Sequence, residues 1–281
     1  MSSLKRIRQG AAGILLFAIW LLTCLVLHRP QPEHLREFSM ERLLRTSLLP
    51  VGQTMYIWGG GWNQDDAGAG IEAVTLGVSK RWAEYAAWQT EQYDFDQTRY
   101  QSHDGLDCSG YIGWLLYNVF HTRNGETGYV VGASKMARAC AARGWGYLVQ
   151  GDYRPGDICS MEGHVWMSLG RCPDGSVLLV HASPPGVRIC GTYLDDGTKS
   201  EAVKLAEQVM QRQYPAWYSR YPECGVGYFY LEDSVSMRWY TDEETDPPAG
   251  DAGRGCDPFF VSGMKEIYRS ERSEAMADIF R

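Results

Sequence analysis

One cysteine and two histidines carry the chemistry that can be read from this 281-residue sequence. Cys108 stands between Asp107 and Ser109 in the stretch GLDCSGYIGWLLYNVF. Beyond it Tyr111, Ile112, Leu115, Leu116 and Val119 recur at helical spacing. A helix over 108–120 is therefore expected, with Cys108 at its N-terminus. Unpaired N–H groups there favour a thiolate and lower the thiol pKa. A nucleophilic thiol also needs a base within hydrogen-bond reach and a third group to orient that base. His164 in EGHVWMSLG and His181 in GSVLLVHAS are the residue types for those two roles.

The elements that carry the histidines must bring them together. GHVWMSLG and GSVLLVHAS read as strands, and RCPDGS between them reads as a turn in which proline and glycine preset the backbone. With the turn centred between Pro173 and Asp174, Trp166 opposes His181 across the hairpin. His164 lies two residues from Trp166 and so shares its face. His164 and His181 then become diagonal neighbours within reach of each other. A turn centre displaced by one residue would place them on opposite faces.

Other roles compete for the same residues. A lone cysteine is by default a small buried hydrophobe. The chain has eight cysteines, none in a CxxC pair, and no two histidines stand at zinc-ligand spacing. No metal or other cofactor is expected. With Cys24 and Cys108 set aside, six remain, to be read either as disulfide partners in an exported protein or as buried apolar residues. His103 is a possible second base, with a solvated loop histidine as the plainer reading. His121 fits a helix C-terminus.

Residues 1–30 form a unit of their own. Residues 11–27 are uncharged and almost wholly apolar, and Lys5, Arg6 and Arg8 precede them. This pattern predicts a transmembrane signal anchor with the rest of the chain outside the cell, and a cleaved signal is the competing reading. Residues 31–50 read as a stalk turning into a short amphipathic helix, 51–240 as the main domain, and 241–281 as an acidic linker and tail. Beyond residue 30 the chain carries 23 basic against 34 acidic residues. That balance argues against a nucleic-acid partner. Helical segments followed by antiparallel strands predict an α+β fold.

MYIWGGG, GLDCSGYIGWLLYNVF, YRPGDIC, GHVWMSLG and VLLVHASP occur in this order. Together they resemble the NlpC-type cell-wall peptidases, a papain-related family of cysteine hydrolases. The resemblance spans roughly residues 50–192, about half of the chain. It implies a papain-like core in which a helix carrying the nucleophile packs on an antiparallel sheet. It further implies Cys108 as nucleophile, His164 as general base and acid, and His181 as the group that fixes the His164 tautomer. Tyr56 would lie at the edge of the site, and Asp107 and Ser109 would hold the free amine end of a peptidoglycan stem peptide.

The usual reaction of the family is hydrolysis of the γ-D-glutamyl–diamino-acid bond. A muramoyl-alanine amidase or an acyltransferase would use the same Cys/His pair, and a non-catalytic wall-binding module would keep only the fold. Two departures from the family pattern stand out. Residues 63–106 form a long insertion before the nucleophile, expected to act as a lid or an extra wall. The gap from His164 to His181 is lengthened by the CPDGS loop.

Overall fold

The computed structural model describes residues 39–101, 103–120 and 128–240. The expected anchor, His121, Cys24, Cys256 and the 241–281 tail lie outside the described residues. Among those described, no helix is long and apolar enough to cross a membrane.

The architecture is mixed α+β. Strands β1 (Met55–Tyr56), β2 (Gly105–Leu106), β3 (Gly146–Val149) and β4 (Ile158–Met161) precede the central hairpin of β5 (His164–Arg171) and β6 (Val177–Ser183). After it come β7 (Gly186–Thr192), β8 (Gly225–Val226) and β9 (Val235–Trp239). They form one sheet in the order β2-β1-β7-β6-β5-β4-β9-β3, with β8 paired to β7. All pairings are antiparallel except β1 with β2 and β7 with β8.

Helix α1 (Met40–Leu48) starts at Ser39, whose hydroxyl accepts the Arg42 N–H at 3.1 Å. Such a cap satisfies one of the donors that a helix start leaves unpaired. Leu43, Leu44 and Leu48 then enter the main core. The expected domain start at residue 51 is therefore too late. Packing moves it back, because this helix is part of the folded body rather than of a stalk. After α2 (Lys80–Trp88) comes α3 (Cys108–Phe120), which spans the residues its periodicity predicts. It packs on β5 and β6, and on α1. Tyr111 Oη donates to the Ser47 carbonyl at 2.8 Å, and Trp114 meets Trp82 of α2 edge to face at 6.2 Å. Fully burying aliphatic side chains such as Ile112, Leu115 and Leu116 stabilises the body by roughly 1.5–3 kcal/mol each.

The PGD turn before β4 is held by charge. Asp157 accepts the Arg154 N–H at 2.9 Å and pairs with Arg238 of β9 at 2.7 Å. Burial nevertheless raises its carboxyl to about 6, the Arg238 contacts pulling the other way. Helices α4 (Met136–Ala142) and α5 (Glu201–Gln213) flank the sheet. Cys140, Cys159, Cys190 and Cys224 are free and buried and behave as small apolar residues, and Cys172 is buried too.

The hairpin register departs from the simple turn argument and still reaches the expected pairing. Near the turn, Arg171 faces Val177 and Gly170 faces Leu178, which centres the turn on Asp174. A β-bulge between Ser168 and Gly170 then inserts one residue. Beyond it Ser168 faces Leu179 and Met167 faces Val180. The two one-residue offsets cancel. His164, Trp166 and His181 share a face as a result.

Candidate active site

Cys108 begins α3, and the chain reaches it through β2 and a loop packed very closely on the helix start. A Cβ on Gly110 would stand 2.0 Å from the Gly60 carbonyl oxygen, and one on Gly61 would stand 2.5 Å from the Gly110 Cα. Gly61 also takes φ +94°. Only glycine fits this approach. It brings the Gly59–Gly61 loop against the nucleophile's first turn.

Asp107 closes that turn. Its carboxylate accepts the Gly110 N–H at 2.6 Å, the Ser109 hydroxyl at 2.8 Å and the Gly59 N–H at 3.2 Å. Ser109 Oγ in turn accepts from Trp62 Nε1 at 2.9 Å. Burial raises the Asp107 carboxyl to about 6, with these hydrogen bonds opposing the rise. Both residues are buried and serve the helix cap. The expectation that they hold a substrate amine thus meets side chains already engaged within the protein.

His164 Nε2 lies 3.0 Å from His181 Nδ1, with the rings edge to face at 5.2 Å between centroids. That contact leaves His164 Nδ1 as the nitrogen available to a thiol. On the thiol side, the backbone N–H of Val165, the residue after His164, acts on the Cys108 sulfur. The nucleophile candidate therefore sits beside the start of β5. Tyr230, from helix α6 (Phe229–Glu232), covers both histidines with ring centroids at 5.5 Å and 6.0 Å.

The electrostatics differ from expectation at one point. Burial, followed by the Asp107 carboxylate, pushes the Cys108 thiol up to about 12. The N–H groups of Val165, Ser109 and Cys108 oppose this and do not overcome it. The thiolate expected from the helix N-terminus is thus not the resting form, because desolvation outweighs the dipole. Burial also pushes His164 down to about 4. His181 is held well below the usual histidine range by complete burial, by His164 and by Arg188, which faces it across the β6–β7 ladder. The resting pair is a neutral thiol and a neutral imidazole.

A base acting through Nδ1 must carry its proton on Nε2 and donate it to His181 Nδ1. His181 then holds its own proton on Nε2. That nitrogen is buried without a hydrogen-bond partner among the described residues. Arg188 disfavours a second proton on His181 and so keeps Nδ1 an acceptor.

Tyr56 ends β1 and is buried, its ring edge on Phe95 at 5.8 Å. Burial raises its hydroxyl well above the usual tyrosine range, and Cys108 and Asp107 add to the rise. Tyr56 therefore stands as a neutral O–H donor close to the sulfur. His103 does not join this group. Its Nδ1 lies 2.7 Å from Glu72 Oε1 on the segment before β2. Trp62, Tyr230 and Arg188 belong to the site and were not singled out from the sequence. Only Trp62 adjoins a recognisable motif; the other two are brought in by the sheet and the late helix.

No family model, curated protein or solved structure matched the chain in comparison.

Proposed function

We propose that the protein is a cysteine endopeptidase of NlpC type, with a papain-like core, that hydrolyses peptidoglycan stem peptides at the γ-D-glutamyl–diamino-acid bond. The observation that carries this reading is the 3.0 Å contact of His164 Nε2 with His181 Nδ1, which leaves His164 Nδ1 outside that pair, while the N–H of the next residue, Val165, acts on the Cys108 sulfur.

Attack and proton transfer occur together, since the resting thiol is neutral. Cys108 Sγ adds to the scissile carbonyl carbon while its proton passes to His164 Nδ1. The imidazolium is held by its Nε2–H bond to neutral His181. Negative charge on the former carbonyl oxygen meets the Cys108 backbone N–H and the Tyr56 hydroxyl, donors that need no reorganisation. His164 then gives its proton to the leaving amine as the C–N bond breaks, which leaves a thioester on Cys108. Water, deprotonated by His164, cleaves the thioester and frees the γ-carboxylate. The N-terminal segment would hold this domain outside the membrane, beside its polymeric substrate.

The test is incubation of the full-length protein with peptidoglycan and identification of the new ends by mass spectrometry. New glutamyl γ-carboxylates matched by free diamino-acid amines are expected. New muramoyl and alanine ends would make the enzyme an amidase with the same Cys/His pair. An undigested polymer would contradict the hydrolase reading.

A further inference from the structure

The segment before the nucleophile supplies one cation to the edge of the site. Residues 93–100 pack along β1 and the loop after it. Tyr93 Oη donates to the Tyr56 carbonyl at 2.6 Å, Phe95 meets the Tyr56 ring, and the Tyr100 N–H reaches the Trp58 carbonyl at 2.9 Å. Tyr100 takes φ +57°, a left-handed backbone that a bulky side chain adopts only where its surroundings impose it. Arg99 is thereby placed with its guanidinium over the Trp58 ring, 5.3 Å from the centroid. Trp58 is 45% exposed and directly precedes Gly59, whose N–H binds Asp107.

Asp96 Oδ1 engages Arg99 Nε and Nη2 and leaves Nη1 without a protein partner among the described residues. The Arg99 cation also acts on the Tyr56 hydroxyl, opposing the rise that burial imposes. Its charge therefore reaches the group beside the nucleophile.

Resting on the endopeptidase reading above, we propose that Arg99, braced on Trp58, is the specificity-determining residue that binds a substrate carboxylate beside the scissile bond. A glutamyl residue linked through its γ-carboxyl keeps its α-carboxylate free, a few bonds from the carbonyl under attack. A guanidinium forms an ion pair with that carboxylate and only a weaker hydrogen bond with its uncharged carboxamide.

The experiment compares two stem peptides that differ only in an α-carboxylate or an α-carboxamide on the γ-linked glutamyl residue. The full-length protein and Arg99→Gln are assayed on both. Wild type is expected to favour the acid in kcat/KM by about ten- to a hundredfold, the worth of one charge-assisted hydrogen bond. Arg99→Gln should bring that ratio close to one, mainly through a raised KM for the acid peptide. Calorimetric binding of both peptides to Cys108→Ala, with and without Arg99→Gln, should show the same preference without turnover. Equal cleavage of both peptides by wild type, or an unchanged ratio in Arg99→Gln, overturns the Arg99 assignment and leaves the endopeptidase reading standing. Cleavage of neither peptide by wild type overturns that reading itself, and the Arg99 assignment with it.

Discussion

His164 Nε2 stands 3.0 Å from His181 Nδ1, and the two imidazoles therefore have unequal duties. One nitrogen of His164 is committed to His181, and the other remains for proton transfer. His164→Ala should approach the inactivity of a variant without the nucleophile. His181→Ala should lose less, and His181→Asn or His181→Gln should recover part of it, because an amide oxygen can still accept the imidazole N–H. General acid–base help is worth roughly a hundred- to ten-thousandfold in rate. Steady-state turnover of a stem peptide resolves that ranking, and the reverse order would exchange the two roles.

The neutral resting pair sets the pH dependence. His164 works as a base only when unprotonated, so kcat/KM should fall as pH drops through about 4, its lowered value. Above that limb the rate should stay level through neutrality, since the Cys108 thiol is pushed up to about 12. Alkylation of Cys108 should be slow at neutral pH and quicken as the solution becomes alkaline. Ultraviolet thiolate absorbance, compared between wild type and Cys108→Ala, reads the same property. A thiolate signal at neutral pH in the substrate-free protein would contradict it.

The bulge in β5 sets the register that brings the histidines to one face. Gly170 takes φ +126° there, and its N–H bonds to Ser168 Oγ at 3.1 Å. Gly170→Val should lower stability by about 1–3 kcal/mol through backbone strain. It should also reduce activity beyond the loss explained by unfolded protein. Denaturant midpoints and turnover measured on the folded fraction separate the two effects. An unchanged midpoint would mean that the bulge tolerates a side chain.

Asp107 caps α3 through its bonds to Gly110 and Ser109. Asp107→Ala should cost about 0.5–2 kcal/mol in stability, the range for a lost N-cap, while Asp107→Asn should retain part of it. Urea unfolding of the two variants tests this. If Asp107→Ala keeps full stability and loses only peptide binding, the residue serves substrate rather than the helix.

The sequence was most informative where chemistry and periodicity coincide. Helix 108–120 announced itself because its apolar residues recur at helical spacing, whereas the Asp107 cap came only with the fold. The hairpin pairing came out as expected through two compensating offsets, a turn centred on Asp174 and a bulge after Ser168, neither of which the turn residues reveal. Strand β7 was not recognised, because its residues are buried throughout and show no alternation of polar and apolar positions. The thiol's ionisation was misjudged for a related reason. A helix N-terminus is a local feature, whereas the desolvation that outweighs it depends on how the whole chain closes over Cys108. Tyr230 illustrates the limit: nothing near it in the chain signals a catalytic neighbour, and only the fold lays it on both histidines.

The uncharged stretch at 11–27 behind Lys5, Arg6 and Arg8 predicts a domain held outside the cell. Protease added to intact cells should remove the domain while the N-terminal segment stays with the membrane. N-terminal sequencing that finds a mature chain starting near residue 28 would replace the anchor with a cleaved signal.

The most direct measurement is turnover of a γ-glutamyl stem peptide by wild type and Cys108→Ala, with thermal unfolding of both recorded alongside. Cys108→Ala should unfold like wild type and hydrolyse nothing above background, while wild type releases the diamino-acid amine. Undiminished hydrolysis by folded Cys108→Ala would show that the sulfur at the start of α3 is not the nucleophile.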